Sequence, residues 1–105
     1  RATTFHTQLL TDVIAKAIAH EGFSLVEAIT ACPISFGRQN KRGGAPDMMK
    51  WQRDHGVVLA AYNKLPEDQK ADKFPIGVLY EAEAPEYTKE YAKVIAAAQG
   101  KKGGN

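Results

Sequence analysis

The stretch from Thr7 to Thr30 constrains this chain more than any other. Leu10, Val13, Ile14, Ala17 and Ile18 recur at three- and four-residue spacing, which sets them on one face of a helix over Thr7 to Glu21. Thr3 or Thr4 is placed to cap its start, and Gly22 falls where a left-handed C-terminal residue belongs. Phe23 to Thr30 is then rich in apolar and β-branched residues and is short enough for one strand. Its apolar residues fall on both faces, the pattern of a strand buried between two layers of helices. Helix, glycine turn and strand make half of a βαβ unit and predict a parallel α/β sheet. The partner strand is expected just before Arg1, so the chain is expected to begin inside a sheet. A first residue other than methionine fits a chain cut from something longer.

The remainder reads as lighter structure. Arg38 to Gly44 is polar, basic and glycine-containing, a loop. Pro46 and Asp47 suit the opening of a helix through about Asp54, with Met48, Met49 and Trp51 as apolar mass and Gly56 as its stop. Val57 to Tyr62 is an apolar run of ambiguous type. Leu65 to Lys73 is charged, a loop with a turn of helix after Pro66, and Ile76 to Tyr80 reads as a short strand or extended segment. Tyr87, Tyr91, Val94 and Ile95 have helical spacing and predict an amphipathic helix over Glu86 to Gln99, followed by a polar tail, Lys101 to Asn105, that needs a partner to become ordered.

Composition narrows the classes of function. With 44% hydrophobic and 25% charged residues, disorder throughout is not expected. A net charge of +2 gives no reason to expect nucleic acid or an anionic membrane as partner. No apolar run approaches the roughly 20 residues that span a bilayer. One cysteine rules out an internal disulfide and fits a reducing, cytoplasmic setting.

Local catalytic motifs are absent: there is no Gly-rich phosphate loop, no Cys-x-x-Cys and no His-Glu-x-x-His. Gly43-Gly44 reads as a flexible pair. His6, His20 and His55 are too widely spaced to suggest a metal site and read as surface or interface residues. Met48, Met49 and Trp51 read as a core or interface face, and Asp47, Glu81, Glu83 and Glu86 as solvated acids. Arg38, Lys41 and Arg42 form a basic run, usually a solvated loop, that could instead meet an acidic partner or a substrate carboxylate near a subunit interface or an active-site mouth. Cys32 stands apart by position. It lies just past the C-terminal end of the expected strand, where α/β sheets place ligands and reactive groups, and Pro33 turns the chain away behind it. On spacing alone an inert, packed thiol is the commoner outcome, and the chemical reading stays open beside it.

Longer segments carry a likeness. "GFSLVEAITACPISFGRQNKRG", then "MMKW" and "IGVLYEAEAPEYTKEYAKVI", resemble the C-terminal third of the β subunit of 2-oxoacid:ferredoxin oxidoreductases, and most closely the 2-oxoglutarate branch. The resemblance runs from Thr7 to about Ala98. Its most specific parts are the Gly22-Phe23-Ser24 turn and the Cys32-Pro33 step. Phe36-Gly37-Arg38 and Glu83-Ala84-Pro85-Glu86-Tyr87 sharpen the branch.

The resemblance implies an enzyme subunit that takes part in the thiamine-dependent conversion of a 2-oxoacid and coenzyme A into an acyl-CoA and carbon dioxide, with electrons passed to ferredoxin. It implies thiamine diphosphate, Mg²⁺ and a 4Fe–4S cluster in the full subunit, and an α subunit beside it. It also implies that Cys32 is the fourth ligand of that cluster, the other three lying near the start of the subunit. A thiolate at a rigid strand end suits that role. The expected fold is the C-terminal portion of a thiamine-diphosphate-binding-type parallel-sheet domain. Residues 1–35 would give its last helix and strand, and residues 36–105 an extension with an irregular segment and a terminal helix. The chain departs from the whole subunit in lacking the Gly-Asp-Gly thiamine and Mg²⁺ motif and the other cysteines, so neither catalytic residues nor independent activity are expected of it. The competing reading is a non-enzymatic α/β module that docks on a partner protein and would tolerate serine or alanine at position 32.

Overall fold

A computed structural model describes residues 1–100. The chain begins in a strand, β1 (Ala2–Thr3), and enters helix α1 (Thr7–Ala19). It returns through an extended segment to strand β2 (Ala28–Ile29). β1 and β2 are parallel, with Ala2 opposite Ala28 and Thr3 opposite Ile29. The βαβ unit is therefore closed within the chain. The partner strand expected before Arg1 lies at Ala2–Thr3 instead, because Ala2 N–H bonds Glu27 C=O at 3.0 Å and Thr4 N–H bonds Ile29 C=O at 3.0 Å.

The helix itself departs from expectation at both ends. His6 occupies the N-cap position without a side-chain cap bond. Neither Thr3 nor Thr4 caps it, since Thr3 Oγ1 lies 2.7 Å from His6 Nδ1 and the Thr4 hydroxyl turns toward Gln52. The helix ends at Ala19, and Gly22 supplies a positive φ of 100° in the turn beyond it.

The strand expected over Phe23 to Thr30 contracts to two residues, and its burial is corrected outright. Phe23 is 86% and Leu25 81% exposed, because this chain supplies no second layer over either face.

After β2 comes a five-residue π turn, Pro33–Gly37, that runs on helically to Gln39, so the basic loop starts from a closed turn. Helix α2 (Ala45–His55) forms where Pro46 and Asp47 predict it. Pro46 sits in its first turn, the Asp47 carboxylate accepts the Gly44 N–H at 3.1 Å, and Gly56 is the C-cap. The ambiguous run beyond splits into strand β3 (Gly56–Val58) and one helical turn, α3 (Leu59–Tyr62). A second turn, α4 (Glu67–Lys70), follows Pro66 as expected.

Strand β4 (Phe74–Ile76) runs parallel to β3 and includes Pro75, which pairs in register with Val57. It meets the expected segment, Ile76 to Tyr80, only at Ile76, and Val78, Leu79 and Tyr80 are exposed beyond it. Arg1 and Gly77 exchange both backbone bonds, at 2.9 and 2.8 Å, the pattern of a hydrogen-bonded antiparallel pair that links the two small sheets.

Helix α5 (Tyr87–Gly100) confirms the terminal amphipathic helix. Residues 101–105, the expected polar tail, lie outside the described residues. Burial is sparse: Ala2, Thr3 and Ile76 are fully buried, Gln52 is 1% exposed, and Val13 and Met48 are close behind. The radius of gyration is 21.4 Å, against roughly 13 Å for a compact domain of 100 residues. The chain is an open α/β piece rather than a closed globule.

Candidate functional site around Cys32

Cys32 follows β2 by three residues, beyond the C-terminal end of a parallel strand, as the spacing predicts. Its surroundings differ from the packed thiol that spacing favours: the side chain is exposed. The cause is the turn that follows. Pro33 opens it with its ring at a position that needs no N–H, and Gly37 N–H closes back on Cys32 C=O at 2.9 Å. Cys32 thereby becomes the residue before the turn, with its thiol toward solvent.

The nearby backbone N–H groups, first that of Phe36 and then those of Ser35 and Ile34, hold the thiol below the ordinary cysteine value, though none closes a cap hydrogen bond on it. An exposed sulfur biased toward thiolate is the form that binds soft metals and iron–sulfur clusters.

The turn is anchored from behind. Gly37 is buried against α2, where an added Cβ would lie 2.9 Å from Met48 Sδ and 3.4 Å from Cys32 O. Glycine here lets the turn rest on Met48 without displacing that flexible side chain, so α2 backs the turn that follows Cys32. Arg38, Lys41 and Arg42 continue the same feature. Arg42 N–H bonds Gly37 C=O at 2.8 Å, and Lys41 adopts a left-handed φ of 53°. All three side chains are exposed.

The other candidates do not gather here. Among the described residues no group of three or more His, Cys, Asp and Glu is arranged to hold a metal, around Cys32 or elsewhere. His55 stacks on Trp51 at 4.6 Å and meets its carbonyl through Nδ1 at 2.8 Å. His6 lies edge-on to Phe5, and His20 lines an open cleft of about 500 Å³ between α1 and the segments 23–27 and 77–82. That cleft includes neither Cys32 nor the three cations. Met48 is buried, while Trp51 stacks on Phe74 at 5.6 Å and remains 38% exposed. Asp47 and Glu86 are not merely solvated acids. Each accepts backbone N–H groups at the start of a helix, Glu86 from Thr88 and Lys89 at 2.9 Å each.

Sequence reading missed Gln52. Its Oε1 accepts Phe5 N–H at 2.9 Å and lies 3.1 Å from the Thr4 hydroxyl, while Nε2 donates to Ile29 C=O at 3.3 Å. One buried amide thus ties α2 to both strands of the first sheet and fixes the end of β2 from which Cys32 departs. No pattern signals it, because a glutamine in an amphipathic helix reads as a solvent residue.

An α/β piece with an exposed, thiolate-prone cysteine past a parallel strand is the class of chain this geometry defines. Its sequence is 30% identical over 95 residues to the 2-oxoglutarate synthase subunit KorB of Methanocaldococcus jannaschii, a match covering 90% of this chain. The KorB subunits of Methanothermobacter marburgensis and Methanothermobacter thermautotrophicus are 30% and 28% identical over 101 residues, 96% of this chain. The chain spans 35% of the length of each of these relatives. The resemblance to the β subunit of 2-oxoacid:ferredoxin oxidoreductases is borne out, and the chain fits a C-terminal portion of that subunit. No family model matches it. No solved structure matches it significantly.

Proposed function

We propose that this chain is the C-terminal part of the β subunit of a 2-oxoglutarate:ferredoxin oxidoreductase, and that Cys32 is one ligand of its 4Fe–4S cluster. The reaction is the thiamine-dependent oxidative decarboxylation of 2-oxoglutarate with coenzyme A to succinyl-CoA and carbon dioxide. The observation that carries the reading is the exposed Cys32 thiol at the end of β2, in a chain that matches KorB over at least nine-tenths of its length. The backbone N–H groups that follow it favour the thiolate, the form in which a cysteine binds a cluster.

The residues present fit one cysteine ligand of a cluster whose other ligands lie elsewhere in the subunit. When bound, the cluster supplies a path for electrons toward ferredoxin. This chain's part is to hold the sulfur: Pro33 and Gly37 set the turn, Met48 supports it, and Gln52 fixes the strand end. The residues do not fit thiamine diphosphate or Mg²⁺, since the Gly-Asp-Gly motif is not among them. Residues 1–35 would then be the last helix and strand of a thiamine-diphosphate-binding-type domain, and residues 36–105 its extension. The rest of the β subunit and an α subunit would complete the enzyme, in the cytoplasm. No helix among the described residues is long and apolar enough to cross a membrane.

A docking module without chemistry would share the exposed apolar surface of Phe23, Leu25 and Tyr80. The two readings part at Cys32. In the anaerobically purified full-length enzyme, Cys32→Ala is expected to lose the cluster or leave it with a labile iron, and to lose ferredoxin reduction. Iron, acid-labile sulfide and the reduced-cluster resonance measure this. A full, unshifted cluster signal with normal ferredoxin reduction would remove Cys32 from the ligand set and leave the docking module standing.

A further inference from the structure

We infer that Arg38, Lys41 and Arg42 form the docking surface for the acidic face of the protein that accepts electrons from this enzyme. The inference rests on the reading of Cys32 as a cluster ligand. From Ala28 to Pro46 the chain carries these three of its 14 Lys and Arg and none of its 12 Asp and Glu. All three side chains are exposed, and among the described residues none is in an ion pair. Most exposed cations elsewhere behave differently: Lys50, Arg53, Lys89 and Lys93 each have a carboxylate within 4.0 Å, while Lys16 and Lys64 stand singly. A positive patch left without internal partners keeps its field available to a partner of opposite sign.

Placement gives the patch its meaning. Arg38 directly follows the π turn that begins after Cys32, and Arg42 N–H bonds Gly37 C=O, the residue that closes that turn on Cys32. The cations are therefore held by the same short feature that presents the sulfur. Lys41 at positive φ and Gly43 at φ 76° bend the chain back so that the three follow one tight reversal. All three are exposed and none lines the cleft beside α1 or the one below the start of α5, so the patch suits a protein face rather than a pocket for a small carboxylate.

The test uses the assembled enzyme, an acidic two-cluster ferredoxin as the protein acceptor, and methyl viologen as a small cationic acceptor that needs no docking. Replacing all three residues (Arg38→Gln, Lys41→Gln, Arg42→Gln) is expected to raise both the Kd and the KM for ferredoxin roughly tenfold at low salt, and to flatten their dependence on ionic strength. Viologen reduction and iron content should match wild type. The charge-reversed triple (Arg38→Glu, Lys41→Glu, Arg42→Glu) should exaggerate the effect; if it fails to assemble, the glutamine variant alone decides. Unchanged ferredoxin Kd and salt slope would overturn the inference, as would equal losses with both acceptors. Ferredoxin Kd is read without turnover. A cluster that survives Cys32→Ala therefore refutes the ligand reading separately, while a wild-type Kd in the glutamine variant refutes docking alone.

Discussion

Helices α2 and α5 are of similar length and meet opposite surroundings. α2 buries Met48 and Gln52, and Gln52 spends its amide on three backbone or hydroxyl groups of the first sheet. α5 buries nothing: Tyr87, Tyr91, Val94 and Ile95 are 75, 53, 62 and 43% exposed. Its ties to the rest run through the Glu21–Lys89 ion pair and the approach of Glu86 to Gly22. A helix of 14 residues is marginal in water unless something covers its apolar face. The contrast teaches that the order around Cys32 is generated inside this chain, whereas the order of α5 must be completed from outside it.

The sharpest way to break the contrast is at Gln52. Gln52→Leu fills the space but leaves the part-buried Phe5 N–H without its acceptor and takes one of two donors from Ile29 C=O, which keeps Thr4 N–H, and the expected loss is about 2 kcal/mol of stability. Urea unfolding followed by Trp51 fluorescence measures it, since Trp51 is the chain's single tryptophan and stacks between His55 and Phe74. An unchanged midpoint would mean that α2 is held by Met48 and the aromatic stack alone.

The complementary substitution lies on α5. Tyr91→Ala with Ile95→Ala is expected to shift the same unfolding transition by less than about 0.5 kcal/mol, because neither side chain is buried within this chain. In the full enzyme the same pair, or truncation before Glu86, should lower the melting temperature or loosen assembly. A full enzyme indifferent to both changes would show that the face stays open there too.

What was legible in the sequence follows the same division. α1, α2 and α5 are each marked by apolar periodicity, and α2 also by Pro46, Asp47 and Gly56, so their existence and approximate limits could be read. The strands could not be sized. Ladders of two or three residues, such as Ala2–Thr3 against Ala28–Ile29, are too short to show an alternating period, and Pro75 argues against a strand where β4 forms. Phe23 and Leu25 were expected to be buried from their apolarity, which reports what a whole sheet would cover and not what this chain covers. The position of Cys32 was readable from the strand-then-proline order. Its exposure was not, because it depends on a π turn whose hydrogen bond runs from Gly37 back to Cys32, five positions earlier, and leaves no compositional mark beyond Pro33 and Gly37.

The smallest expected effect concerns how α5 starts. The Glu86 carboxyl is held below its ordinary value, first by the Thr88 hydroxyl and then by the Thr88 and Lys89 N–H groups. Those donors favour the ionised form, so the cap is strongest when Glu86 is charged. For a carboxyl whose folded value is depressed, the stabilisation is fully present above its unfolded value, about 4.3, and is lost as pH falls through the lower folded one. The first turn of α5 should therefore keep its order from neutral pH to about pH 4 and fray only below that. NMR titration of the Thr88 and Lys89 amides would trace this directly. Glu86→Gln keeps an acceptor oxygen but no charge, so it should weaken the turn slightly at neutral pH, approach the protonated wild type in acid, and abolish the acid transition. Fraying that sets in above pH 5, or that survives in Glu86→Gln, would assign the start of α5 to some other group.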